Sequence, residues 1–201
     1  WVDHWSWPVM RRVIHIALGY KKAKEIADVV EHLTGAESFD YLAEVLRLNN
    51  SVTRFDRIPK TGRLVVAANH PTGLADGIAV WEEVRKVRKD VLFFANADAL
   101  RAIPKGADII IPVEWVHDKR SPAKTRETLR LARQAFHREQ CIVIFPSGKL
   151  AKKEKGELRE HDWMPTAVSL ARKYKAPIAP LHVSAPNSWL YYALSRLNNE
   201  M

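Results

Sequence analysis

The chain has 201 residues, 47% of them hydrophobic, enough to bury a sizeable core in one α/β-sized domain with an appendage. Its single cysteine, Cys141, excludes an internal disulfide and a cysteine-built zinc site, and no apolar run approaches the roughly 20 residues of a membrane-spanning helix. The excess of 32 Lys+Arg over 23 Asp+Glu, formally +9, favours polyanionic partners without choosing between nucleic acid and anionic lipid headgroups.

Residues 1–50 read as a helical segment and 51–201 as an α/β domain. Ser6-Trp7-Pro8 has the form of a capped helix start, and Val9, Val13, Ile16, Ala17 and Tyr20 recur at helical spacing. A second helical stretch over 23–33 is closed by Thr34-Gly35, and a shorter helix over 39–48 stops at Asn49-Asn50. From there apolar runs at 64–68, 91–95, 109–113, 141–145 and 177–183 alternate with helix-like segments near 78–88, 122–138 and 165–174. Ser121-Pro122 marks a clear start for one of these helices. The alternation predicts βαβ crossovers and a mostly parallel central sheet covered by helices, with the N-terminal helical segment as an appendage. The segment opened by Asn187-Ser188-Trp189 ends abruptly at Met201, so the native chain is expected to continue.

The chemistry concentrates where the first apolar run ends. Leu64-Val65-Val66-Ala67-Ala68 breaks into Asn69-His70-Pro71-Thr72-Gly73-Leu74-Ala75-Asp76-Gly77, which places His70 and Asp76 at a strand exit, where open α/β sheets hold their sites. Histidine takes and returns a proton near neutral pH, and a neighbouring carboxylate fixes its tautomer and stabilises the imidazolium. In isolation the pair reads as a helix start, with Asp76 in the first turn and His70 on the surface. In context it reads as a general-base dyad.

That context is two further blocks, in order: Cys141-Ile142-Val143-Ile144-Phe145-Pro146-Ser147-Gly148-Lys149 and Ala176-Pro177-Ile178-Ala179-Pro180-Leu181. With the first block, over about residues 64–180, they resemble the glycerolipid acyltransferase family, the lysophosphatidic-acid-acyltransferase-like enzymes with a His-(four residues)-Asp motif. The second block is similar to a strand ending in Phe-Pro-Glu-Gly-Thr-Arg, and the third to a late Pro-rich strand; order and spacing together carry the resemblance. The chain also departs from the pattern. Five residues separate His70 from Asp76, and Gly73, free of a Cβ, is expected to absorb the extra one. Ser147 stands where the family has Glu, and Lys149-Leu150 where it has Thr-Arg, at positions associated with the acceptor's phosphate. The family's arginine-bearing block is faint in Pro104-Lys105-Gly106-Ala107-Asp108-Ile109-Ile110-Ile111-Pro112-Val113, which holds no arginine.

The resemblance implies an O-acyltransferase, similar to 1-acylglycerol-3-phosphate acyltransferases. It would move a fatty acyl group from acyl-coenzyme A or acyl-acyl carrier protein to a lysophospholipid or related glycerolipid, with no bound cofactor and no metal. His70 is the implied general base and Asp76 its orienting partner, with no covalent acyl-enzyme because a thioester is already activated. Asn69, Thr72, Gly73, Ser147, Gly148 and Lys149 are expected to line the substrate site. Backbone N–H groups around Gly73 or Gly148 would serve the oxyanion, and Lys149 would hold a phosphate. Cys141, inside an apolar run, reads as a small buried hydrophobe. Ser147 lacks the preceding glycine of a nucleophile elbow. His117, His161 and His182 show no metal-ligand spacing.

The densest basic cluster, Lys149, Lys152, Lys153, Lys155 and Arg159, directly follows the strand that delivers Ser147 and Gly148. With no RNA-binding aromatic motif or Walker loop, an anionic membrane surface is the expected partner and nucleic acid is not. Trp1, Trp5 and Trp7, followed by Arg11, Arg12, Lys21, Lys22 and Lys24, form either a segment lying on a bilayer or a packed appendage with tryptophans in its core. The first reading gives a cytoplasmic protein peripheral at the membrane. Two competing functions share these features: a thioester or lipid hydrolase using the same dyad, and a non-catalytic basic module that binds lipid or nucleic acid. The second leaves the three ordered blocks unexplained.

Overall fold

A computed structural model describes residues 19–114, 120–154, 157–185 and 187, together with Arg12 and Ile16. The leading tryptophans and most of the C-terminal segment, with the expectations placed on them, lie outside the described residues. From residue 19 onward the order is α1 (Tyr20–Val30), α2 (Gly35–Leu46), β1 (Leu64–Ala68), α3 (Leu74–Val84) and β2 (Val91–Asn96). A one-turn helix, α4 (Ala99–Ala102), precedes β3 (Ile110–Val113), α5 (Pro122–His137) and β4 (Cys141–Ile144). The short strands β5 (Lys152–Glu154) and β6 (Glu157–Arg159), then α6 (Thr166–Tyr174) and β7 (Ile178–Leu181), complete the order.

Five strands form one sheet in the order β3-β2-β4-β1-β7, every neighbouring pair parallel, and β5 pairs antiparallel with β6 in a separate hairpin. This is the α/β architecture that the alternating apolar runs predict. β1 and β4 sit in the middle and are buried at every position, as strands covered on both faces must be. Period-two alternation divides their side chains. Leu64, Val66, Cys141 and Val143 meet Ile78, Trp81 and Val84 of α3 and Phe39 and Leu42 of α2 on one face. Val65, Ala67, Ile142 and Ile144 meet Ala132 and Phe136 of α5 and Leu170 and Ala171 of α6 on the other. Each of the larger side chains contributes about 1.5–3 kcal/mol by leaving water. Pro112 and Pro180, which cannot donate to a ladder, fall on β3 and β7, the edges of the sheet among the described residues.

Thr34 differs from expectation. It starts a helix: its hydroxyl accepts the Glu37 N–H at 3.3 Å and the Glu37 carboxylate accepts the Thr34 N–H at 2.9 Å. This reciprocal cap begins α2 at Gly35, four residues before the expected start. The Asp108 carboxylate also accepts the N–H groups of Gly35 and Ala36, and a Cβ on Gly35 would stand 2.3 Å from that carboxylate. α2 is thus fastened to the turn before β3. Its Phe39 ring lies edge-on to Trp81 at 5.4 Å, and the Trp81 indole N–H donates to Asp40 at 2.7 Å. α2, although within the N-terminal segment, therefore shares the core of the sheet.

At the amino ends of the strands the buried Arg88 donates to Asp90 at 2.7 and 2.8 Å and to the carbonyls of Pro59, Gly62 and Glu139. These carbonyls lie just before β1 and β4, and Asp90 just before β2, so one guanidinium ties three strand starts together. Arg63 does the same for helix ends, donating to the carbonyls of Phe136 and Tyr174 in the last turns of α5 and α6. The opposite end of the sheet is left for the site.

Candidate active site

The connection leaving β1 runs through α3 on one face of the sheet, and the connection leaving β4 runs through α6 on the other. Adjacent parallel strands whose connections diverge leave a crevice at their carboxyl ends. His70 follows β1 and Ser147 follows β4, so topology brings these two sequence blocks to one place.

His70 is held through its backbone and its ring. Its N–H donates to Glu160 Oε1 at 2.9 Å, and its carbonyl accepts the Ala151 N–H at 3.0 Å. The imidazole stacks on Phe145 with ring centres 4.2 Å apart and planes 25° from parallel. Nδ1 lies 3.1 Å from Asp76 Oδ2, at ion-pair distance but out of line for a hydrogen bond, and it has no other hydrogen-bond partner. The His70 side chain is 21% exposed and that of Asp76 only 1%.

Asp76 occupies the third position of α3 and is surrounded by donors. Its carboxylate accepts the Thr72 N–H at 2.7 Å, the Gly73 N–H at 2.9 Å and the Thr72 hydroxyl. A buried carboxylate is costly unless donors replace its water, and here the loop between the two dyad residues supplies them. Gly73 makes the loop possible. Its φ of 85° and ψ of −123° belong to a region that residues with a Cβ avoid, and a Cβ there would come within 3.1 Å of Leu150.

The remaining expected site residues divide. Thr72 and Gly73 serve Asp76, so their N–H groups are already engaged; the Gly148 N–H is likewise engaged, with the Phe145 carbonyl at 3.0 Å. The N–H groups of Gly73 and Gly148 themselves are thus engaged, and the expected oxyanion donors around these glycines would have to be neighbouring N–H groups. Asn69 pairs both ends of its amide with Val183, at 2.8 and 2.6 Å, and so ties the exit of β1 to the chain leaving β7. Ser147 is buried, its hydroxyl 2.8 Å from Glu160 Oε1 and 3.0 Å from the Lys149 carbonyl. Lys149 is exposed on the loop that follows. Burial raises the Cys141 thiol to about 12, which suits a packing residue and not a nucleophile.

Glu160 has no place in the motif reading. It lies beyond the basic tract, and that tract folds as the β5–β6 hairpin because its strands pair Lys152 with Arg159 and Glu154 with Glu157. No apolar alternation announces the hairpin. Two surface concavities, of about 520 and 300 Å³, are lined by none of these residues. Among the described residues no group of three or more His, Cys, Asp or Glu side chains converges as a metal site requires.

The acyltransferase family model matches residues 49–184. The chain is 22% identical over 163 residues to a lyso-glycine lipid O-acyltransferase of Phocaeicola vulgatus and 20% identical over 163 residues to one of Bacteroides thetaiotaomicron. In both comparisons 81% of this chain is covered; it spans 57% and 58% of the length of these curated relatives. The match covers both strand exits that form the crevice and all three sequence blocks, so this chain belongs to the acyltransferase family, the glycerolipid acyltransferases that those blocks resemble.

Proposed function

We propose that the protein transfers a fatty acyl group from an acyl thioester, acyl-coenzyme A or acyl-acyl carrier protein, to a hydroxyl of a lysolipid. The observation that carries this reading is the contact between His70 Nδ1 and the buried Asp76 carboxylate at the crevice between β1 and β4. With Asp76 on Nδ1, Nε2 is the nitrogen that removes the acceptor's proton as its oxygen attacks the thioester carbonyl. Asp76 then stabilises the imidazolium, which returns the proton to the departing thiolate. No nucleophilic side chain is required, and both Cys141 and Ser147 are buried in other roles.

The acceptor is argued from Ser147 and Lys149-Leu150, which replace the Glu and Thr-Arg that the family associates with an acceptor phosphate. The relatives' names point to a lyso-glycine lipid, and we propose that acceptor class alongside lysophosphatidic acid as the two to be compared. Leu74, Leu158, Trp163 and Met164 are exposed on the elements around the crevice, near exposed Lys149 and Lys152. Apolar and aromatic groups beside cations fit an anionic membrane surface, from which a lipid acceptor is taken.

The test is a matrix of acyl-coenzyme A and acyl-carrier-protein donors against lyso-glycine lipid, lysophosphatidic acid and water, with His70→Ala beside the native chain. Acyl transfer to a lysolipid that disappears in His70→Ala is the expected result. Acyl release to water alone would replace it with a hydrolase, and near-native turnover in His70→Ala would remove the dyad.

A further inference from the structure

The β5–β6 hairpin grips the His70 peptide at both ends. Where the chain enters the hairpin, the Ala151 N–H donates to the His70 carbonyl at 3.0 Å; where it leaves, Glu160 Oε1 accepts the His70 N–H at 2.9 Å. The same Oε1 is 2.8 Å from the Ser147 hydroxyl, and shortly afterwards the Met164 N–H donates to the Pro146 carbonyl at 3.0 Å. One carboxylate thus joins the exit of β1 to the exit of β4, across the crevice between these adjacent parallel strands.

The carboxylate meets the serine that marks the departure at position 147. In Phe-Pro-Glu-Gly the carboxylate belongs to the strand-exit turn itself. Here the turn carries a serine, too short to reach across, and the carboxylate arrives from thirteen residues later. We propose that Glu160 is a positioning residue of the acyl-transfer site, joining the exits of β1 and β4 and fixing the backbone from which His70 projects. The proposal rests on the acyl-transfer reading for its kinetic consequence, and on geometry alone for its structural one.

Hydrogen bonds to an ionised acceptor are roughly twice as strong as neutral ones, and a base displaced by about 1 Å loses up to about 100-fold in rate. Glu160→Ala should therefore lower kcat by roughly 10- to 100-fold with KM nearly unchanged, because the carboxylate holds His70 and not substrate. Glu160→Gln keeps an oxygen able to accept both hydrogen bonds and should recover most of the rate. The independent readout is amide hydrogen exchange. The His70 N–H should exchange at least about tenfold faster in Glu160→Ala, a loss of about 1.4 kcal/mol of local protection. The Thr72 and Gly73 N–H groups, held by Asp76, should stay unchanged as internal controls. If Glu160→Ala does not fold, Ser147→Ala removes one of the two contacts and should lower kcat by a smaller factor while His70 stays protected. Unaltered His70 exchange in Glu160→Ala, a Gln variant as slow as the Ala variant, or an effect confined to KM would each overturn the proposal. If the native chain transfers no acyl group, the acyl-transfer reading fails while the exchange experiment still decides what Glu160 does.

Discussion

At the scale of single residues, Asp76 shows how a buried charge is kept. Asp76→Asn preserves size but replaces one oxygen with an amino group facing the donors of Thr72 and Gly73. We expect a loss of about 1–3 kcal/mol in urea unfolding and a fall in kcat of roughly 10²–10⁴-fold, since the ring loses both its tautomer control and its counter-charge. Cys141 gives a different signature. Its thiol, raised from 9.0 to about 12 by burial, should resist alkylation at pH 8 in the native protein and react only when the chain opens. The sign follows from linkage. The unfolded thiol ionises at lower pH than the folded one, so this contribution to stability is fully present below pH 9.0 and declines as pH rises toward about 12.

At the scale of elements, the turn from β1 into α3 depends on Gly73. Gly73→Ala forces a Cβ into a backbone region costing about 1–3 kcal/mol, and it presses Leu150, which the hairpin must pass. Thermal unfolding should register that loss, and kcat should fall by more than the stability change suggests, because the turn sets the distance between His70 and Asp76. A native kcat in a destabilised Gly73→Ala protein would show that the turn serves the fold and not the dyad. The hairpin has the opposite character: its strands are three residues long, and its described side chains are exposed. Its role follows from the contacts at its two ends, not from any core of its own.

At the scale of the whole molecule, the two ends of the sheet are built differently. The amino end is fastened by Arg88, whose partner Asp90 shows the balance of forces: burial raises its carboxyl, and the guanidinium's hydrogen bonds and charge overcome that and hold it below the ordinary value. A depressed folded pKa contributes stability that is present above the unfolded value of 3.8 and is lost as pH falls through the folded one. Arg88→Met leaves Asp90 and three carbonyls without this donor and should cost about 1–3 kcal/mol in chemical denaturation. It should also flatten the acid limb of the stability curve. The carboxyl end carries the crevice and the apolar-basic rim. Trp163→Ala should reduce co-sedimentation with anionic vesicles at all salt concentrations, whereas Lys149→Ala with Lys152→Ala should reduce it mainly at low salt, where charges are least screened. Unchanged sedimentation in both would move membrane contact to another surface, the leading Trp1, Trp5 and Trp7 among the candidates.

The sequence alone determined the five strands of the central sheet and most helices, because an apolar run of five residues or a helical apolar stripe is a local statement of which face leaves water. It also placed His70 and Asp76 together, since they and the glycine between them lie in one short loop. The start of α2 is legible in Thr34 and Glu37, although Thr34-Gly35 reads more simply as a stop. The tertiary structure alone decided the rest. The order β3-β2-β4-β1-β7 arises from how crossovers pack, and only that order sets Ser147 beside His70. Phe39 joins the core through rings far from it in the chain, Trp81 and Phe93, so the N-terminal segment's share in the sheet is invisible to local patterning. Glu160 is the sharpest case: one acidic residue after a charged tract, it gains meaning only because the hairpin carries it back to a histidine ninety residues earlier, and a hydrogen bond across that separation leaves no period in the sequence.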